Sequence, residues 1–172
     1  MTTALRYILI GLTLFHEGCA VNAERGKTTN GPSNDQIHEQ KVIKTTAYTD
    51  SESGHRNYGV KNAIGSCLKS GTIHSAAADW SRYPVGTKFR VVDTDTTYVV
   101  DDYGPALVGT DTIDLYVTSR RTMNQWGARR VKIEVLEVGS YEKSLEVLKP
   151  RQGNWYAKQM VKNIQKQIQT TY

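Results

Sequence analysis

The chain has 172 residues, with 22 Lys or Arg against 17 Asp or Glu, a formal net charge of +5. Its 38% apolar content can fill a core, which excludes a disordered or fibrous chain, and 14 Gly with 4 Pro exclude a collagen-like one. Two cysteines exclude a disulfide-rich scaffold and a Cys-rich zinc site, while the basic balance suits work beside a polyanion.

Residues 1–23 read as an export signal. Arg6 precedes the apolar run YILIGLTLF at 7–15, too short for a bilayer span but matched to a signal-peptide core of about 7–15 residues. Two processing sites compete beyond it. Val21-Asn22-Ala23 sets a mature start at Glu24, whereas Gly18-Cys19-Ala20 resembles a lipoprotein signal with Cys19 as the lipidated residue. Either route places the protein in the periplasm or at the outer membrane. Residues 24–40 are polar, with Ile37 the one strong apolar residue, and read as a disordered tether.

Residues 41–138 read as one β domain. Segments 41–49, 73–78, 88–93, 97–101, 113–116 and 129–137 carry the β-branched and aromatic residues that suit a pleated surface. Thr94-Asp95-Thr96 joins two of them as a hairpin turn, and Tyr83-Pro84-Val85-Gly86-Thr87 is a second tight turn. The Gly- and Ser-rich stretch 50–71 is a long surface loop, the kind that carries binding. Its Cys67 reads as a buried, lone thiol acting as a small hydrophobe. A short helix fits 119–126, stopped by Gly127. Residues 139–172 form a helical extension: a helix capped by Ser140 and stopped by Pro150, then an amphipathic helix over 155–168 with Lys158, Lys162 and Lys166 off its apolar face. Many short strands and few helices indicate a compact β-barrel.

The chemistry gathers in VDDYGPALVGTDTIDLY at 100–116. Asp is a poor strand residue, so Asp101, Asp102 and Asp114 beside apolar strand residues call for explanation. Asp-Tyr-Gly-Pro accounts for some of them as a turn. Asp114 sits between Ile113 and Leu115, where desolvation raises its pKa toward that of a general acid, more so if Asp102 lies near it. Tyr48, Trp80 and Tyr103 carry aromatic faces and polar tips, which are more often core than contact surface. His55 and His74 have no spaced His or Cys partner, so no metal and no cofactor is expected. Nor is there a phosphate loop, dinucleotide fingerprint or nucleophile elbow, and an exported chain is not expected to meet nucleic acid.

Ala77-Ala78-Asp79-Trp80-Ser81-Arg82-Tyr83-Pro84-Val85-Gly86-Thr87, then Asp102-Tyr103-Gly104 with Val108-Gly109, then Ile113-Asp114-Leu115-Tyr116, and finally Trp126-Gly127 follow in order along the chain. Together they resemble the signatures of the three-aspartate (3D) domain, as in the membrane-bound lytic transglycosylase A family, and Asp-Tyr-Gly-Pro is similar to rare-lipoprotein-A-like proteins. The resemblance implies a six-stranded double-psi β-barrel and cleavage of the MurNAc–GlcNAc β-1,4 bond of peptidoglycan. It implies that Asp114 is the catalytic acid/base, with Asp102 supporting it. Asp79 is the remaining signature aspartate, placed in the substrate-binding set with Tyr48, Trp80 and Tyr103. The expected partner is the glycan strand, with an outer-membrane lipid anchor if Cys19 is acylated. The alternative is a noncatalytic barrel that binds or loosens the wall.

Overall fold

The computed structural model describes residues 39–52 and 59–170. The signal segment 1–23 with Cys19, nearly all of the tether 24–40, and His55 lie outside the described residues. Six strands form the frame: β1 (Gln40–Tyr48), β2 (Ile73–Ala77), β3 (Lys88–Val91), β4 (Thr96–Asp102), β5 (Ile113–Tyr116) and β6 (Arg129–Glu137). They close into a barrel in the order β1-β5-β2-β4-β3-β6, the six-stranded architecture expected from the sequence. Two pairings are parallel, β1 with β5 and β2 with β4, and the rest are antiparallel. The segment expected as a strand to residue 93 stops at Val91. Val92–Thr94 winds into a 3₁₀ turn and Asp95 takes a left-handed conformation at φ 51°, which aspartate tolerates, before β4 returns antiparallel.

Alternation along the strands sets the core. Ile43, Ile113, Leu115, Phe89, Val91, Val131 and Ile133 are buried, while Val42, Lys44, Arg130 and Lys132 face outward. α1 (Arg120–Trp126) is capped by Ser119, whose hydroxyl accepts from the Thr122 amide. It docks when Trp126 Nε1 donates to the buried Thr45 Oγ1 at 3.1 Å.

The helical extension joins the same core. α2 (Tyr141–Leu148) is capped by Ser140, and α3 (Trp155–Thr170) buries Ala157, Met160, Val161 and Ile164 in one cluster with Trp80, Tyr83 and Val85. Burying Met160, Val161 and Ile164 contributes on the order of 5 kcal/mol of transfer free energy. Lys158, Lys162 and Lys166 stay exposed. Among the described residues no helix is long and apolar enough to cross a membrane.

The Pro84–Thr87 turn fastens the extension to the barrel. The Val85 amide donates to Ser144 Oγ at 3.0 Å, and the Ser140 amide donates to the Val85 carbonyl at 2.9 Å. Thr87 Oγ1 accepts from the Gly139 amide and donates to the Pro84 carbonyl. The backbones approach so closely that a Cβ on Gly139 would stand 2.3 Å from the Val85 oxygen and 2.5 Å from the Thr87 nitrogen. Backbone on both sides leaves little room to yield. Gly139→Ala is therefore expected to destabilise the protein by about 2–4 kcal/mol. The check is a fall in thermal midpoint, against little change for Gly153→Ala, where a Cβ meets nothing within 4 Å.

Candidate functional site

Outside the barrel, four strands bring the candidate residues into one line. Thr46 on β1 registers with Asp114 on β5, Asp114 with Ala77 on β2, and Ala77 with Asp102 on β4. Ala77 separates the two aspartates by two inter-strand spacings, roughly 10 Å between backbones. Its methyl is too small to screen one carboxylate from the other.

Asp102 reaches this line because β4 slips against β2. Ala76 pairs with Val100, but Ala77 pairs with Asp102, leaving Asp101 as the surplus residue of a bulge. The bulge lets consecutive aspartates serve the same surface. Asp101 Oδ2 accepts from Ser75 Oγ at 2.9 Å and pairs with Lys69 Nζ at 3.2 Å. Burial raises the Asp101 pKa, opposed by Ser75, Lys69 and the nearby Asn62, although Oδ1 itself has no hydrogen-bond partner.

The two principal carboxylates differ in what holds them. Asp102 is buried and well satisfied. Its Oδ1 accepts from the Ala63 amide at 3.1 Å and the Tyr103 amide at 2.9 Å, and its Oδ2 accepts from Tyr48 Oη at 3.1 Å. Asp114 is half-buried, and among the described residues its side chain accepts a hydrogen bond from Thr46 Oγ1 at 2.7 Å. Burial raises the Asp114 pKa to about 6; the Thr46 bond opposes the rise, and Glu52 and Asp102 add to it. Tyr48 lies among the acids. Burial first, then Asp102, Asp101 and Asp114, hold its phenol well above the ordinary value. A small apolar cluster of Tyr48, Ala77, Leu107 and Tyr116, with Leu68 of the long loop against it, walls the line.

The other expected site residues serve the frame. Trp80 is fully buried, so the expectation that its face meets a sugar is corrected: Nε1 donates to the Asp102 carbonyl at 2.8 Å, and its amide contacts Met160 Sδ at 3.4 Å. The large ring goes inward because α3 lays an apolar face over it. Asp79 is also fully buried. Its Oδ1 accepts from the Ser81 amide and hydroxyl, and its Oδ2 accepts from the Gly109 amide at 2.7 Å, tying two loops together with no oxygen turned outward. Tyr103 is half-buried; its ring meets Trp80 edge-on at 4.9 Å and its hydroxyl accepts from Arg151 at 3.0 Å.

Cys67 is corrected too. It is half-buried, stands in the outer loop beside Lys61 rather than in the packed barrel, and is disulfide-bonded. Cys19, the other cysteine of the sequence, lies outside the described residues. Among the described residues no group of His, Cys, Asp or Glu is arranged to hold a metal. His74 lies against the Tyr98 ring at 5.4 Å, and burial lowers its pKa.

Thr46, Lys69 and the Asp101 bulge were not marked by the sequence. Thr46 and Asp114 meet only through the parallel β1–β5 pairing, 68 positions apart, for which neither segment carries a local signal.

No family model matches the chain, and no curated protein matches it. Among solved structures, the crystal structure of MltA from E. coli aligns with a TM-score of 0.36 and 24% identity. The alignment covers 46% of this chain and 28% of that one. A likeness at this level bears on neither activity nor substrate.

Because folding raises the Asp114 pKa, the folded state holds that proton more tightly than the unfolded chain. Its ionisation therefore removes stability as pH rises from about 3.8 to about 6. Asp114→Asn is expected to stabilise the protein by about 1–2 kcal/mol above pH 6 and to change little below pH 4. Denaturant unfolding of both proteins at the two pH values checks this. Thr46→Val, which removes the bond that favours the charged form, is expected to raise the Asp114 pKa further, read from the carboxyl carbon shift by NMR.

Proposed function

We propose that this chain is a peptidoglycan-active barrel that cleaves the MurNAc–GlcNAc β-1,4 bond as a lytic transglycosylase does. Asp114 is its acid and base. The observation that carries the reading is a half-buried carboxyl group raised to about 6, in line with a second, fully hydrogen-bonded carboxylate. It is supported by the order of the sequence signatures around Asp79, Asp102 and Asp114.

The chemistry asks for one proton carrier. Ordinary glycosidases use two carboxyl groups, because water or an enzyme nucleophile must be served as well as the leaving oxygen. In transglycosylation the sugar's own C6 hydroxyl attacks C1. The protonated Asp114 gives its proton to the glycosidic oxygen as the C1–O bond breaks. The resulting carboxylate takes the C6 hydroxyl proton as the new C1–O6 bond forms. The products are a 1,6-anhydro sugar and a free 4-hydroxyl, no water is consumed, and Asp114 ends protonated as it began. Asp102, fixed by Ala63, Tyr103 and Tyr48, supplies negative charge that favours the protonated form of Asp114. Of the aromatic residues in the binding set, Tyr48 stands nearest the acids, whereas Asp79 and Trp80 act by holding the loops and strands that carry the site.

A noncatalytic wall-binding barrel is the second reading. Incubation with purified sacculi separates the two. Anhydro-muropeptides are expected by mass spectrometry from the wild type, with a loss of at least about a hundredfold for Asp114→Asn. The rate is expected to fall as pH rises through about 6, because donation needs the protonated carboxyl. Binding to sacculi with no anhydro product at any pH would replace the enzyme with the module.

A further inference from the structure

A pocket of about 380 Å³ opens on the outer face of β1 and β6, lined in part by Lys41, Lys44, Arg130, Tyr83, Thr112 and Asp111. It begins beside the candidate acid. Lys44 stands two residues before Thr46 on β1, a step of roughly 7 Å, and Thr112 lies just ahead of β5, two residues before Asp114. Residues two apart on a strand share a face, so Lys44 and Thr46 project to the same outer surface.

The charges of this pocket are not settled internally. Lys44 and Arg130 are direct cross-strand partners, an arrangement of like charges that opposes pairing. Neither is in an ion pair among the described residues, where the bridged cations are Lys69, Arg82, Lys88 and Arg90. Lys41 Nζ stands 4.5 Å over the ring of Tyr83, which fixes it at the rim. Asp111, the acid among the lining residues, is engaged by Arg82. Lys44 and Arg130, paired across β1 and β6 and both exposed, therefore stand side by side on this concave surface, and an oxyanion is the group that complements them.

We propose that this pocket is a subsite for a carboxylate on a substituent of the strand that lies over Asp114. This rests on the reading of that strand as peptidoglycan, whose peptide arms carry free carboxylates. A glycan seated on the line of Thr46, Asp114, Ala77 and Asp102 has an arm within reach of Lys44 and Arg130, one strand step away. The pocket then sets which part of the wall is bound productively: strands bearing peptides over bare ones.

The test is titration of the intact chain with three probes, followed by calorimetry and by NMR shifts at the Lys44, Thr112 and Arg130 amides. The probes are a peptide-bearing glycan fragment, the same fragment with its peptide removed, and inorganic phosphate. The peptide-bearing fragment is expected to bind about tenfold to a hundredfold tighter than the bare one, an advantage that shrinks with salt. The double variant Lys44→Gln/Arg130→Gln is expected to lose that advantage while keeping its affinity for the bare fragment. Its thermal midpoint is expected to be unchanged or raised, because a like-charge pair is gone. Equal affinity of the wild type for the two fragments would overturn the proposal. So would phosphate binding at these amides at least as tightly as the peptide-bearing fragment. A wild type that prefers the peptide-bearing fragment yet forms no anhydro product would leave the subsite standing and remove the catalytic reading.

Discussion

The slip of one residue between β2 and β4 is the constraint on which the rest of the site depends. In a regular ladder, successive side chains alternate between the barrel interior and its outer face, so Asp101 and Asp102 would fall on opposite sides. One of them would then have to enter an interior filled by Ile113, Leu115, Phe89 and Ile133, where an unpaired carboxylate is very costly. With Asp101 bulged out of register, both acids find polar partners. Asp101 takes Ser75 and Lys69, and Asp102 takes Tyr48 and the amides of Ala63 and Tyr103. The slip also sets Asp102 opposite Ala77, the residue that registers with Asp114 on its other side.

From this placement follows a division of labour among groups of one chemical type. Three carboxylates surround Tyr48 and differ in how their charge is met. The charge on Asp102 is met by three donors, and that on Asp101 by a cation and a hydroxyl. That on Asp114 is met by the Thr46 hydroxyl, but burial dominates and the proton is held up to about 6. Environment rather than residue identity separates a fixed charge from a movable proton, the pattern expected where acid and base assignments coexist.

Much of the frame was legible in the sequence because it is written in local pattern. Period-two alternation places the last strand at residues 129–137, as found. Gly127 and Ser140 mark helix ends by their capping chemistry, and each sits at the expected terminus, whereas Ser119, expected inside its helix, caps it. Asp114 could be singled out because a carboxylate between Ile113 and Leu115 has no local excuse. What could not be read was long-range. The bulge at Asp101 depends on register against a distant strand, and Thr46 meets Asp114 only once the barrel closes. Trp80 resembled a sugar platform because its cover, α3, is contributed from the far end of the chain. Cys67 resembled a small core residue because nothing in the sequence around it says whether its sulfur is bonded.

The closed order of the six strands has a further consequence for how this molecule meets anything else. Each strand has a neighbour on both sides, so the sheet presents no open rim of unpaired amides and carbonyls onto which a foreign strand can be added. Recognition must instead come from side chains standing on the outer wall and from the loops that rise above it, which can vary in length and composition while the cylinder beneath stays the same.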